Sequence, residues 1–288
     1  MKIKVNPILS KEVRVRMRSW KAPLLIAIYT GILAFVAVFI LFNTVLDPYQ
    51  HSFRSSEIIE SYAVLSGIQF LLIAFIVPAL TSSSISGERE RQTLDLILCT
   101  KLPSQSIILG KLITSISQIL LLIIAALPVF SVVLLFGGIS FKEISQLFIY
   151  YIVLAITFGS IGIFFSTYIK KTTTATVLTY ATILFLMLGT LVITVFYLEI
   201  NNKYNPQPYK NSLPLMYFNP GAGYVSLIAE QFGKGNSLNI PGVIHNPGLK
   251  AIPFWIVNII IDLIISVVLL VLSALKLNPM KKIKKLKK

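Results

Sequence analysis

Ile85-Ser-Gly-Glu-Arg-Glu-Arg-Gln-Thr-Leu-Asp-Leu-Ile-Leu-Cys-Thr-Lys-Leu-Pro103 is a charged stretch set between two long apolar runs. Leu94, Ile97 and Leu98 share a face at i, i+3 and i+4, with Arg91 and Asp95 as an i, i+4 pair at its side. Gly87 precedes the pattern, Glu88 and Glu90 sit in its first turn where the helix dipole favours negative charge, and Pro103 ends it. The spacing predicts a short amphipathic surface helix. A plain connection between two apolar runs needs only a few residues, so this one is expected to carry a docking role.

What surrounds it is greasy. Hydrophobic residues make up 55% of the 288-residue chain and charged residues only 13%. Runs of about twenty apolar residues, the length that crosses a bilayer, recur near 23–42, 62–84, 112–137, 145–169, 173–198 and 252–275. The expected fold is all-α and integral to a membrane, with six spans and both termini on one side. Cytoplasmic loops collect Lys and Arg near span ends. Seven basic residues precede the first span, seven lie from Lys276 onward, four lie between Arg89 and Lys111, and Lys170 and Lys171 adjoin the fourth span. On the other side are Arg54, Lys142, Lys203, Lys210, Lys234 and Lys250, mostly in one long loop. Both ends are therefore expected in the cytoplasm. The formal charge of +15 reads as this orientation signal and as attraction to anionic lipid, not as nucleic-acid binding. The tail Lys281-Lys-Ile-Lys-Lys-Leu-Lys-Lys288 is one such lipid-facing segment.

Asn6 to Lys21 reads as a helix opened by Asn6-Pro7. Leu9, Val13, Met17 and Trp20 fall within an arc of about 80°, opposed by Lys11, Arg14, Arg18 and Lys21. Such a helix lies flat on the inner leaflet with Trp20 at headgroup depth and Arg16 snorkelling from the apolar edge. The first apolar run is too long for a signal-peptide core and is expected to stay in the mature protein. The lone cysteine, Cys99, excludes a disulfide within the chain.

The pattern from Ile85 through Leu98, followed by Pro103 and Ile108-Leu-Gly-Lys111, resembles the loop after the second span in ABC transporter permeases of the type-2 exporter group. The segment from Asn6 to Trp20 is similar to their interfacial helix, and the likeness covers nearly the whole chain. The resemblance implies an ATP-driven exporter in which two permeases, two copies of this chain or this chain with a homologous one, form the path. It implies two cytosolic ATPase subunits that bind ATP and Mg and grip a coupling helix on each permease, here Glu88 to Thr100. Gln92 departs from the pattern, since many relatives carry Gly there. On this reading residues 1–22 form the interfacial helix and 23–275 the transmembrane domain, with a coupling element at 87–104 and an outer loop at 199–250. Residues 276–288 form the basic tail. The ATPase-coupling residues are Gly87, Glu88, Arg91, Leu94, Asp95, Ile97 and Leu98. The expected location is the plasma membrane, and the abundance of Lys and Ile points to an AT-rich bacterial source.

The chain lacks the G-x-x-x-x-G-K-[ST] spacing of a phosphate-cradling loop, because Gly110-Lys111 is followed by Leu112 without the upstream glycine. Leu65-Ser-Gly-Ile-Gln69 is similar to the ABC ATPase signature but lies inside the second span, out of reach of nucleotide. His51 and His245 fall in outer loops without the partners a metal or acid–base site needs. No cofactor is expected in this chain. Asp262, with Asn258 one turn earlier on the same face, is an ionisable residue within a span and so a candidate for the substrate path or for a bond between helices. A self-contained channel or secondary carrier using Asp262 is the rival reading, and a membrane enzyme acting on lipid is a third.

Three features bear on packing. Pro128 is expected to kink the third span. Ala155, Gly159 and Gly162 let the fourth span approach a neighbour closely. The outer segment 199–250 is dense in Pro, Gly and Asn, with Tyr224 to Phe232 able to form two helical turns that set Leu227 and Ile228 against the membrane.

Overall fold

The computed structural model describes residues 20–45, 55–94, 99, 103–135, 139–204, 213–232 and 253–277. No strand occurs among them, and six helical stretches are long and apolar enough to cross a membrane. The physical reason is that hydrocarbon offers no partner to backbone N–H and C=O groups, so each span must satisfy its own. The protein is an all-α, multi-pass membrane protein.

In chain order the helices are α1 (Lys21–Val45), α2 (Ser55–Thr81), α3 (Ser86–Glu90), α4 (Ser104–Ala125), α5 (Leu127–Leu135), α6 (Phe141–Tyr168), α7 (Thr172–Leu184), α8 (Thr190–Tyr204), α9 (Pro220–Gln231) and α10 (Phe254–Leu277). Helix α4 with α5 makes the third span, and α7 with α8 the fifth. The third begins at Ser104, directly after Pro103 and earlier than the apolar run suggested. Its polar first turns carry Lys111, which is buried. Where a kink was expected at Pro128, the helix breaks at Ala126, two residues before it. The Ala126 N–H is shared between the carbonyls of Leu122 and Ile123, each at 3.2 Å. Helix α2, by contrast, runs through Pro78.

The described residues fall into two compact units, one drawn from residues up to Thr179 and from Ser266 onward, the other from Tyr180–Ile265. Within the first unit, α6 is the most enclosed span. Of its apolar window 72% is buried, against 11% for α1. It packs most extensively on α2 and next on α4. The small residues account for this closeness. A Cβ at Gly159 would sit 3.3 Å from Leu112 Cδ1, and one at Gly162 would overlap the Thr81 side chain and lie 3.2 Å from the Ser82 nitrogen. At the other end of α6 the Tyr151 hydroxyl donates to the Ser66 carbonyl at 2.6 Å. Phe130 of α5 meets Tyr62 and Phe148 edge-on at 6.1 and 5.7 Å.

Within the second unit, α7 and α8 are joined by a π-helical turn, Phe185–Gly189. Beyond α8, which extends past the expected loop boundary to Tyr204, lie a 3-10 turn at Pro214–Phe218 and then α9. Helix α9 starts four residues before the expected Tyr224 because Asn219 caps it and Pro220 fills its first position, where a missing N–H costs nothing. Leu227 and Ile228 are buried within the protein rather than facing lipid.

Candidate functional site

The chain leaves α2 at Thr81 and turns through residues 82–85 into the insert. Ser166 of α6 receives it. Its Oγ accepts the backbone N–H groups of Ile85 and Ser86, both at 2.9 Å, and so satisfies donors that a helix start leaves without partners. The Ser86 hydroxyl bonds the Ser82 carbonyl at 3.0 Å, and the Ser82 hydroxyl pairs with Thr176 of α7 at 2.8 Å. At Gly87 an added Cβ would lie 3.7 Å from Thr172, an ordinary contact.

Three successive residues then each reach a different span. Glu88 Oε1 pairs with Lys111 Nζ of α4 at 2.9 Å, and its other oxygen accepts the Thr93 hydroxyl. Arg89 donates from Nη1 to the Ile169 carbonyl at 3.0 Å and from Nη2 to the Thr167 carbonyl at 3.1 Å, at the C-terminal end of α6. Glu90 accepts the Thr172 backbone N–H at 2.8 Å and its hydroxyl at 2.9 Å, at the N-terminus of α7. A cation thus closes a helix C-terminus and an anion a helix N-terminus, the pairing that the two dipole ends favour. Burial pushes the Glu88 carboxyl toward its neutral form. The Thr93 hydroxyl, the Lys111 ammonium and the Arg91 charge outweigh that push and hold the carboxyl below its ordinary range.

The expected uninterrupted helix from Glu88 to Thr100 does not form. Helix α3 ends after Glu90, and Gln92 takes φ 59°, in the left-handed region. The Thr93 N–H returns to the Glu88 carbonyl at 2.9 Å and the Gln92 N–H to that of Arg89 at 3.1 Å. Those two bonds make a Schellman ending with Gln92 at the position usually held by glycine. The backbone is helical again at Leu94.

Leu94 was expected on a docking face and is instead core. It is 8% exposed and packs with Ile85, Ile107, Ile108, Leu112, Ile163, Ala274 and Leu277, side chains from the third, fourth and sixth spans. An apolar side chain this close to three spans gains more from burial there than from an exposed surface. Gly87 and Glu88 are half-buried, and Arg91 and Cys99 are exposed. Asp95, Ile97 and Leu98 lie outside the described residues, as do Leu9, Val13, Arg14, Met17 and Arg18 of the interfacial segment. Trp20, just before α1, is 83% exposed.

Asn258 and Asp262 are both buried on α10. Asn258 Nδ2 donates to the Tyr217 carbonyl at 2.8 Å and to the Asn219 carbonyl at 3.3 Å. Asn219, which the sequence did not single out, is the centre of this network. Its Nδ2 donates to the Met187 carbonyl in the π turn at 2.9 Å and to Thr190 Oγ1 at 2.8 Å. Its Oδ1 accepts from the Gly221 and Ala222 N–H groups at 2.8 and 3.2 Å. Two donors and two acceptor sites are therefore all used. Asn258 acts here as a bond between elements.

Sequence signals for the insert's grip were partial. The charges of Arg89 and Glu90 are visible, but their partners lie about eighty residues downstream, at distances no local pattern encodes. Asn219-Pro220 carries a helix-start signature that the surrounding Pro and Gly obscured.

No curated protein matches the chain. The family described as ABC-2 family transporter protein matches residues 6–281. With six apolar helices, a polar insert seated on the ends of the third, fourth and fifth spans, and this match over nearly its whole length, the chain belongs to the ABC-2 transporter family, as a membrane permease component of an ABC transporter.

Proposed function

We propose that this permease serves an ATP-driven exporter and that the insert from Ile85 to Pro103 is the part a separate cytosolic ATPase moves. The observation that carries the reading is the run Glu88-Arg89-Glu90, in which each side chain holds a different span. A force on the insert therefore reaches the third, fourth and fifth spans at once, without slack. ATP and Mg bind the partner. When the ATPase dimer closes, the inserts of two permeases are drawn together, and the spans convert that displacement into opening of a path. The second permease is another copy of this chain or a homologue. The excess of Lys and Arg at the termini and on the insert side supports both ends in the cytoplasm, and we assign the protein to the plasma membrane of a bacterium, whose AT-rich genome would account for the abundance of Lys and Ile.

Exposed Cys99, the chain's one cysteine, is a built-in reporter. A thiol-specific crosslinker applied to native membranes is expected to join Cys99 to a soluble ATP-binding subunit, and a Cys99→Ser chain is expected to abolish the product. Recovery of Cys99 crosslinked only to lipid or to itself, with no ATPase co-purifying, would overturn the exporter reading in favour of a self-contained channel or carrier.

A further inference from the structure

We propose that a cleft at the insert end of the first unit binds the headgroup of an anionic phospholipid. The cleft has a volume of about 740 Å³ and is walled by Arg89, Gln92, Thr167, Tyr168, Lys170 and Lys276. Three cations thus converge on one space, and among the described residues that line it there is no carboxylate. Arg89 is fixed in place by the Thr167 and Ile169 carbonyls, which neutralise none of its charge. Lys276 Nζ lies over the Tyr168 ring, 5.3 Å from its centroid, and is held at the rim. Among the described residues neither Lys170 nor Lys276 pairs with an acidic side chain. Such a set attracts a phosphate, with Arg89 as a fixed positive charge and the two lysines as mobile ones.

The surroundings select a lipid over a soluble anion. Lys276 ends a span, and helical spacing places Leu272 and Val268 one and two turns deeper on the same face. Both are exposed, at 39% and 51%. A ligand that satisfies the whole surface has a negative head in the cleft and a hydrocarbon tail along α10, the chemistry of a phospholipid at a basic pocket between membrane helices. A carboxylate from a partner protein would use only the polar half. Because Arg89 and Gln92 belong to the insert, a lipid here touches the element to which the preceding reading assigns ATPase coupling. That the leaflet is the cytoplasmic one rests on that reading; binding itself does not.

The test is native mass spectrometry of the detergent-solubilised full chain, titrated with dioleoyl phosphatidylglycerol or dioleoyl phosphatidylcholine. Phosphatidylglycerol is expected to be retained about tenfold more tightly. The Lys170→Gln, Lys276→Gln double variant is expected to lose that advantage. Lys276→Arg and Lys142→Gln, the latter at the opposite end of α6, are expected to keep it. Should the double variant not fold, Lys170→Gln alone, on an exposed side chain, is expected to lose part of it. Equal binding of the two lipids, or full retention by the double variant, overturns the proposal. Displacement by millimolar inorganic phosphate would make the cleft a site for a free anion and also overturn it. A double variant that keeps its lipid but no longer co-purifies an ATPase would assign the cleft to a protein carboxylate and sink the lipid reading. The Cys99 crosslink is read in the unaltered chain without added lipid, so the two proposals fail separately.

Discussion

Gln92 and Glu88 set two opposite kinds of constraint within five residues. A left-handed backbone costs a residue with a Cβ about 1–2 kcal/mol that glycine does not incur, and Gln92 sits there at φ 59°. Gln92→Gly is therefore expected to stabilise the protein by about 1 kcal/mol, read as a higher midpoint of thermal unfolding in detergent. An unchanged or lowered midpoint would mean that the Gln92 side chain makes a compensating contact. Glu88 is the reverse case. Removing it takes the carboxylate partner from Lys111, which is 5% exposed. Glu88→Ala is expected to cost about 2 kcal/mol, less than the ~3–5 kcal/mol of a fully buried pair because Glu88 keeps some water contact. Adding Lys111→Met removes the charge that Glu88 balanced and should restore most of the loss, whereas an additive double-variant loss would show that the pair is not coupled. Resemblance alone marked Gln92 as a departure from glycine, and the left-handed turn explains why glycine suits the position. The pairing of Glu88 with Lys111 could not be read, because it joins residues 23 positions apart across an irregular segment.

Between elements, the same physics favours close approach in one place and polar bonding in another. Helix α6 meets α2 where Gly162 leaves room for Thr81, so Gly162→Ala is expected to force the two apart and cost about 1–3 kcal/mol. Gly87→Ala, with only an ordinary 3.7 Å contact, is the matched control that should not lower the unfolding midpoint. A comparable midpoint for both would mean that the helices yield at no cost. In the second unit the Met187 carbonyl, in the π turn, accepts from Asn219, which also caps α9. Asn219→Ala strips both ends and is expected to destabilise by about 2 kcal/mol or more, with faster hydrogen exchange at Gly221 and Ala222. Asn219→Asp keeps the cap but points an acceptor at the Met187 carbonyl, and it should recover only part of the loss. Exchange unchanged in Asn219→Ala would show that the cap does not hold α9. Six spans and the break near Pro128 were legible because length and a missing N–H act locally. The π turn was not, since its stabilising partner is 32 residues away and Phe185-Leu-Met-Leu-Gly189 reads as plain span.

At the scale of the whole molecule the question is whether the insert transmits force or only attaches a partner, and Arg89 separates the two. Its guanidinium ties the insert to the end of α6, the most enclosed span, while exposed Arg91 and Cys99 stay available to a partner. On the proposed exporter reading, docking and transmission therefore use different side chains. Arg89→Ala is expected to leave the ATPase bound, because no exposed docking residue changes, and to break the path by which its closure reaches α6. A cysteine in place of exposed Phe141, at the far end of α6, in a Cys99→Ser background gives the readout. In the otherwise unaltered chain, trapping the ATPase with ATP and vanadate should change the rate at which a maleimide labels that cysteine. With Arg89→Ala the rate should no longer respond to nucleotide, although the ATPase still co-purifies in the same amount. A response of full size would place transmission elsewhere, on Glu88 and Lys111 or on the buried side chain of Leu94. Loss of the ATPase together with the response would make Arg89 part of the docking surface. The distinction follows from architecture alone: the insert meets the spans through buried and charge-paired groups, so a rigid connection depends on a few bonds whose removal leaves the rest of the fold in place.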